Sequence, residues 1–150
     1  MTRSSDPRVS VEVTASLTTI VIENINPVPA SRPRVTRWGS YYTKTYAAWR
    51  KATYPLIPVN KCPLLPHNLA VRVECIVLRP KTTKRDCPRG DVDNYAKAIL
   101  DAITGHKDQP KNYWRDDDQI TDLAMTKRFA APGEACGYRI EIREDPFYRL

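Results

Sequence analysis

The chain has 150 residues, with 24 Lys or Arg against 17 Asp or Glu, a net charge of +7 and a pI of about 9.4. This length fits one domain with a substantial core, and the charge favours a polyanionic partner, either nucleic acid or an anionic membrane surface. No apolar run approaches the ~18 residues of a membrane span, and residues 1–10 lack the apolar centre of a signal peptide, so we expect a cytoplasmic protein without a membrane partner. The four cysteines include no C-x-x-C pair, which argues against structural zinc.

Six elements are predicted after a disordered lead at residues 1–10, and the domain is expected to span residues 11–150. In chain order they are a strand (17–24), a helix (40–52), a strand (68–78), a helix (93–104) and two strands (120–129 and 136–144). The last two strands are separated by a short Pro-Gly connection, whose length is typical of an antiparallel hairpin. The order β-α-β-α-β-β predicts an α+β fold, a mixed sheet of about four strands with two helices packed on it.

Periodicity separates the helices from the strands. Residues 68–78 alternate apolar and polar side chains, as a half-buried strand does. The helix at 93–104 has an apolar stripe and a C-terminal stop at Gly105. In the helix at 40–52, Tyr42, Tyr46 and Trp49 share one face, which predicts that they belong to the core.

Acidic side chains concentrate in residues 91–118, which carry seven Asp, three Lys and one Arg, a net charge of −3 in a chain whose remainder sums to +10. Asp91 and Asp93 fall where the second helix begins, and Lys97 and Asp101 follow Asp93 at helical spacing. One alternative is that Asp91 or Asp93 caps the helix and that the others form a surface ion-pair ladder. Capping explains one aspartate but not two together with a second acidic group.

That second group, Asp116-Asp117-Asp118, lies just ahead of a predicted strand. An acidic turn is one interpretation; the other is a metal site, because adjacent like charges repel and a cation near Asp91 and Asp93 would relieve the repulsion. Oxygen-only ligands select hard cations such as Mg²⁺ or Mn²⁺, which can activate water and orient a phosphodiester. Lys97 would then stabilise negative charge on the phosphate.

Together, the pattern D-x-D-N-x-x-K-x-x-x-D-A at residues 91–102 and W-x-D-D-x-Q-I at residues 114–120 resembles the RusA family of Holliday junction resolvases, many of them encoded by phages and prophages. The resemblance implies that Asp91, Asp93 and Asp117 bind the metal, that Lys97 is the essential lysine and that Asp116 is the neighbouring acid. Asp118 stands where the family commonly has a small residue, which leaves open which acid of the triplet faces the ion.

The resemblance further implies a homodimeric, Mg²⁺-dependent endonuclease, with Mn²⁺ as a substitute, that cuts four-way DNA junctions symmetrically in recombination and repair. If the gene belongs to a phage, the protein would act in the host cytoplasm. The alternative from another class is a catalytically silent module that binds branched DNA, in which the acids only shape the helix start.

Two basic segments are predicted to contact DNA through phosphates. Their members are Arg32, Arg34 and Arg37 in the first, and Lys81, Lys84, Arg85 and Arg89 in the loop that leads to Asp91. In the first segment, Trp38 and Tyr41 lie outside the core-facing stripe, and aromatic side chains of this kind can stack on bases exposed at a branch point.

Overall fold

The computed structural model describes residues 6–31, 34–61 and 68–145. Within these ranges the elements are, in chain order, β1 (Arg8–Val13), β2 (Thr18–Glu23), β3 (Arg34–Thr36), β4 (Gly39–Tyr41), α1 (Lys44–Thr53), β5 (Leu69–Val77), α2 (Val92–Thr104), β6 (Gly105–His106), β7 (Gln109–Pro110), β8 (Ile120–Phe129) and β9 (Gly137–Glu144). Two helices and a mixed sheet confirm the predicted α+β class. No helix in the described ranges is long and apolar enough to cross a bilayer.

The main sheet has five strands in the order β1-β2-β9-β5-β8. Every neighbouring pair is antiparallel except β5 and β8, which are parallel and joined through α2. A parallel pair with a helical crossover is a βαβ unit, which fixes α2 against the sheet. Two small hairpins, β3 with β4 and β6 with β7, complete the strands.

The prediction that the last two strands form a hairpin is wrong, because β5 lies between β8 and β9. The reason is burial: Tyr138, Ile140 and Ile142 of β9 are almost wholly inaccessible to solvent, whereas most of β8 is exposed. The more apolar strand therefore takes the central place and β8 takes the edge. The segment between the two strands only has to span two inter-strand spacings of about 4.8 Å.

The sheet also starts earlier than expected. β1 begins at Arg8, inside the ten residues expected to be a disordered lead, and pairs with β2 along its whole length. The sequence R-V-S-V-E-V alternates with period two, and Val9 and Val11 pack against the core. This fifth strand adds to the four predicted.

The core lies between one face of the sheet and the two helices. Tyr46 and Trp49 of α1 are buried, as predicted, and the Trp49 ring lies 6.3 Å from that of Tyr138. α2 contributes Ile99 and Ile103, which are fully buried; burial of one such side chain contributes roughly 1.5–3 kcal/mol. The opposite face of the sheet presents charged side chains to solvent: Arg72, Arg139 and Arg143 are exposed there.

Candidate active site

The first turn of α2 presents two carboxylates. Asp91 occupies the N-cap position, with φ −78° and ψ 140°, and its carbonyl accepts hydrogen bonds from the backbone N–H groups of Asn94 (3.1 Å) and Tyr95 (3.2 Å). Its carboxylate makes no capping hydrogen bond. Asp93 Oδ1 accepts a bond from the backbone N–H of Asn94 at 3.0 Å. Capping therefore does not account for the side chain of Asp91, which is exposed at the positive end of the helix dipole.

The loop that delivers Asp91 is fixed by contacts from elsewhere in the chain. Lys127 of β8 donates from Nζ to the carbonyl of Pro88 at 2.6 Å and also to the carbonyl of Gly90. The Tyr95 hydroxyl donates to the carbonyl of Arg89 at 2.7 Å. Gly90 has φ +102°, and a Cβ there would lie 3.3 Å from the Tyr95 ring, so the tight approach favours glycine.

Lys127 is a residue that the sequence interpretation missed. It occupies a helix-facing position of β8, between Met125 and Phe129, which both pack against the core. The sequence signal for Lys127 is a lysine among alternating apolar residues of a strand. A charged group on the buried face needs hydrogen-bond acceptors, so such a lysine indicates specific acceptors nearby.

The exposed edge of α2 carries the predicted lysine. Lys97 Nζ lies 3.8 Å from Asp101 Oδ2, and the Lys97 side chain is 64% exposed. An exposed pair at this spacing contributes only about 0.3–0.5 kcal/mol. The ion pair is therefore real but weak, and it leaves the ammonium group accessible to a ligand.

The second acidic group is a compact turn. Asp117–Gln119 forms one turn of 3₁₀ helix, and Asp116 caps it by accepting from the backbone N–H of Asp118 at 3.4 Å. Gln119 Oε1 accepts in return from the backbone N–H groups of Arg115 (2.7 Å) and Asp116 (3.3 Å). This reciprocal arrangement is a capping box, so Gln119 in the W-x-D-D-x-Q pattern shapes the backbone. The D-x-x-Q spacing was a signal for it.

Trp114 anchors the acidic turn to the end of α2. The indole is buried, and its Nε1–H donates to Thr104 Oγ1 at 2.8 Å, while the same hydroxyl donates to the carbonyl of Leu100 at 2.9 Å. The neighbouring Tyr113 hydroxyl donates to the carbonyl of Pro58 at 2.8 Å. These bonds hold the turn beside the C-terminal half of the helix.

The electrostatics of the turn favour a shared proton or cation. A hydrogen bond with Asp116 raises the pKa of Asp117, and burial and the negative charges of Asp116 and Asp101 raise it further, while Lys97 opposes the shift. The same hydrogen bond, with Asp117, lowers the pKa of Asp116. Asp117 also lines the same cleft as Asp101, so the acidic turn lies at the polar edge of α2.

A cleft of about 300 Å³ opens at this place, lined among others by Arg50, Tyr54, Asp101, His106 and Asp117. The Arg50 guanidinium lies 4.8 Å from the centroids of both the Tyr42 and Tyr54 rings, so cation–π contacts hold it in position. Arg50 was not predicted as a site residue, because its neighbours in α1 follow a core pattern and its cleft is completed by residues far along the chain.

The described part of the chain contains no group of three or more His, Cys, Asp or Glu side chains close enough to hold a metal ion together. Asp91 and Asp93 lie at the start of α2, whereas Asp117 lines the same cleft as Asp101, which is about 12 Å further along the helix from Asp93. The donors nevertheless suit Mg²⁺, because Mg²⁺ is usually held by one or two carboxylates together with waters and substrate phosphates. Asp91 with Asp93, and Asp116 with Asp117, each offer one such pair of carboxylates.

The family model for endodeoxyribonuclease RusA matches residues 24–143, from the end of β2 to β9. The chain belongs to the RusA endodeoxyribonuclease family. Membership confirms the resemblance carried by the two acidic motifs and implies an endonuclease that resolves Holliday junctions. A comparison with curated proteins finds no match.

The basic residues predicted to contact DNA occupy two places in this RusA-family fold. The loop before α2 exposes Lys81, Lys84, Arg85 and Arg89, and part of it borders a groove of about 630 Å³ that Phe129 and Tyr95 also line. Arg37 is exposed in the turn between β3 and β4. Arg34 lies in β3, and Arg32 falls outside the described residues.

Proposed function

We propose that this protein is a Mg²⁺-dependent, homodimeric endonuclease that cuts four-way DNA junctions symmetrically during recombination and repair in the cytoplasm, which would be that of the host if the gene belongs to a phage. The observation that carries the proposal is the carboxylate of Asp91, which occupies the helix start without capping it. Its position on the same helix as Asp93 and Lys97 supports a catalytic use of that edge.

In this proposal Asp91 and Asp93 would hold Mg²⁺ at the start of α2, and Asp117, supported by Asp116, would hold it at the acidic turn. Mn²⁺ has the same preference for oxygen ligands and substitutes for it. When bound, the ion supplies an activated water and neutralises charge on the scissile phosphate. Because each acidic group offers only two carboxylates, phosphate oxygens of the DNA would supply further donors to the ion, and we expect metal affinity to rise when DNA is bound.

Lys97 acts on the phosphate itself. Its ammonium group donates to a non-bridging oxygen and stabilises the negative charge that grows there in the transition state. Asp101, 3.8 Å away, restrains the lysine without neutralising it strongly, because the Lys97 side chain is largely exposed. The basic loop before α2, with Lys81, Lys84, Arg85 and Arg89, neutralises flanking phosphates and directs the strand toward Asp91.

Dimerisation follows from the reaction. Two strands of a two-fold junction must be cut at equivalent positions, which requires two active sites related by a two-fold axis.

The test compares two neutralising variants of similar chemistry. Asp93→Asn is expected to lower the rate of junction cleavage at least 100-fold while junction affinity stays within about threefold, because the variant weakens a metal site whose ion is worth several kcal/mol of transition-state charge stabilisation. Asp108→Asn is the matched control, since Asp108 is an exposed acid in the β6–β7 hairpin. Full activity in the Asp93 variant contradicts the assignment.

A catalytically silent module that binds branched DNA is the second candidate. It is favoured by the absence, among residues 6–31, 34–61 and 68–145, of any group of three acids that could hold a metal ion. This candidate predicts junction shifts in a gel and no cleavage product at any Mg²⁺ or Mn²⁺ concentration.

A further inference from the structure

The hairpin of β3 and β4 carries an exposed tryptophan at its tip. The pairing of Thr36 with Gly39 leaves Arg37 and Trp38 as the two turn residues. Trp38 is 85% exposed, and Val35, on the adjoining strand, is 84% exposed. The guanidinium of Arg37 lies 5.0 Å from the centroid of the indole ring. This tip therefore presents an aromatic plane, an apolar side chain and a positive charge to solvent.

The turn is ordered by the pairing of β3 with β4 and by the side chain of Thr36. Thr36 Oγ1 accepts from the backbone N–H of Trp38 at 3.2 Å and donates to the carbonyl of Gly39 at 3.1 Å. Gly39 has φ +120°, a conformation that glycine tolerates. The exposed position of the ring is thus a property of a structured turn, and binding through it requires little further ordering of the backbone.

Ala30, four residues before the hairpin begins, contacts the first turn of α2. The hydroxyl groups of Ser31, before the hairpin, and Thr43, after it, lie 3.3 Å apart. The backbone N–H of Ala30 donates to the carbonyl of Asn94 at 2.9 Å. Trp38 follows Ala30 by only eight residues in the sequence, which limits the distance between their Cα atoms to ~28 Å. The exposed ring therefore stays within reach of DNA held at Asp91 and Asp93.

The charge around the hairpin indicates what the ring meets. Residues 27–51 contain six Lys or Arg and no acid, so the surroundings attract phosphates. A paired duplex keeps its base faces stacked on one another, and unstacking a base costs less where its pairing is already disturbed; we expect a branch point to be such a place. Aromatic side chains in basic surroundings bind such bases by stacking, whatever the base.

We propose that Trp38 stacks on a nucleobase at the branch point of the DNA substrate, with Arg37 contacting a neighbouring phosphate. The inference rests on the proposed function for its substrate class and goes beyond it by assigning the residue that recognises the branch. Trp38 binds DNA; the acids at residues 91, 93 and 117 carry out the reaction.

Tryptophan fluorescence tests the proposal directly. The chain has three tryptophans, and Trp49 and Trp114 are only 5% and 3% exposed, so quenching by acrylamide reports mainly on Trp38. The full-length protein, in a buffer that contains a chelator, is mixed with a saturating concentration of either a synthetic four-way junction or a linear duplex of the same arm sequence. We expect the junction to protect the quenchable tryptophan several-fold and the duplex to leave it accessible.

Binding by variants gives the second readout. Trp38→Leu keeps an apolar side chain but removes the ring, and we expect junction affinity to fall about 5- to 150-fold while duplex affinity changes less than twofold. Val13→Ala is the matched control, because Val13 is an exposed apolar residue of the edge strand β1; its junction affinity should equal that of the unaltered protein.

Three results would overturn the inference: a quenchable Trp38 in the saturated junction complex, equal protection by linear duplex, or unchanged junction affinity in Trp38→Leu. Cleavage of the junction by the unaltered protein in Mg²⁺ is measured separately. Cleavage without Trp38 protection refutes only the role of Trp38, and protection without cleavage refutes only the proposed nuclease reaction.

Discussion

Replacing Thr104 by valine removes the hydroxyl that joins the acidic turn to α2. In the structure that hydroxyl accepts from Trp114 Nε1 at 2.8 Å and donates to the carbonyl of Leu100 at 2.9 Å. Valine has nearly the same shape, so the substitution removes the two hydrogen bonds without a large cavity. The buried indole N–H is left without its acceptor.

The expected cost combines two effects. A net hydrogen bond contributes about 0.5–1.5 kcal/mol, and a buried donor left unsatisfied costs about 1–3 kcal/mol. Since Thr104 is only partly buried and water can reach part of the site, we expect Thr104→Val to lower the free energy of unfolding by about 2 kcal/mol. For a domain of this size, that lowers Tm by about 4–8 °C.

Urea unfolding at 25 °C and a thermal melt measure the effect, with Thr104→Ser as the matched control. Serine keeps the hydroxyl and loses one methyl group, so it should cost less than about 1 kcal/mol. If valine and serine give the same free energy of unfolding, the hydrogen bond from Trp114 does not stabilise the turn and the reasoning is refuted.

Two further predictions concern the contacts made by β8. Lys127→Met removes the donor to the carbonyls of Pro88 and Gly90, so Asp91 should be displaced and junction cleavage should slow about 10-fold or more. Junction affinity should stay within twofold, and Lys127→Arg should restore part of the rate. An unchanged rate would show that the Lys127 hydrogen bonds do not position the site. Arg128 lowers the pKa of Glu134 to about 2 from 4.5, so this carboxylate stabilises the fold above about pH 4.5 and loses that contribution as pH falls toward 2. Because the pair is exposed, Glu134→Gln should cost no more than about 1 kcal/mol in urea unfolding at pH 7 and almost nothing at pH 2; an equal cost at both pH values would contradict the linkage.

The type of an element could be predicted wherever the apolar pattern lies within that element. The alternation of β5 and the apolar stripe of α2 indicate their types and nearly their ends. The neighbours of β8 and β9 could not be predicted from the length of the connection between them, because pairing depends on which strand buries more apolar surface. The β5-α2-β8 order was itself a sign of a parallel pair.

The candidate site could be predicted in part, because some of its residues are close together in the sequence. The acids and Lys97 lie in two short motifs, whose residues can be identified without knowing the fold. Arg50 and Lys127 come from α1 and β8, and only tertiary structure brings them to the cleft and to the loop before α2. The D-x-x-Q spacing is typical of a capping box, but the spacing identifies the role of Gln119 only when the turn is known to begin at Asp116.

The most direct test of the central claim is cleavage of a synthetic four-way junction by the purified protein, beside a linear duplex and a flap, in Mg²⁺ and in chelator. We expect paired, symmetric nicks on the junction alone, only in Mg²⁺ or Mn²⁺, and none from Asp93→Asn. Junction binding without any product across all Mg²⁺ and Mn²⁺ concentrations would contradict the account.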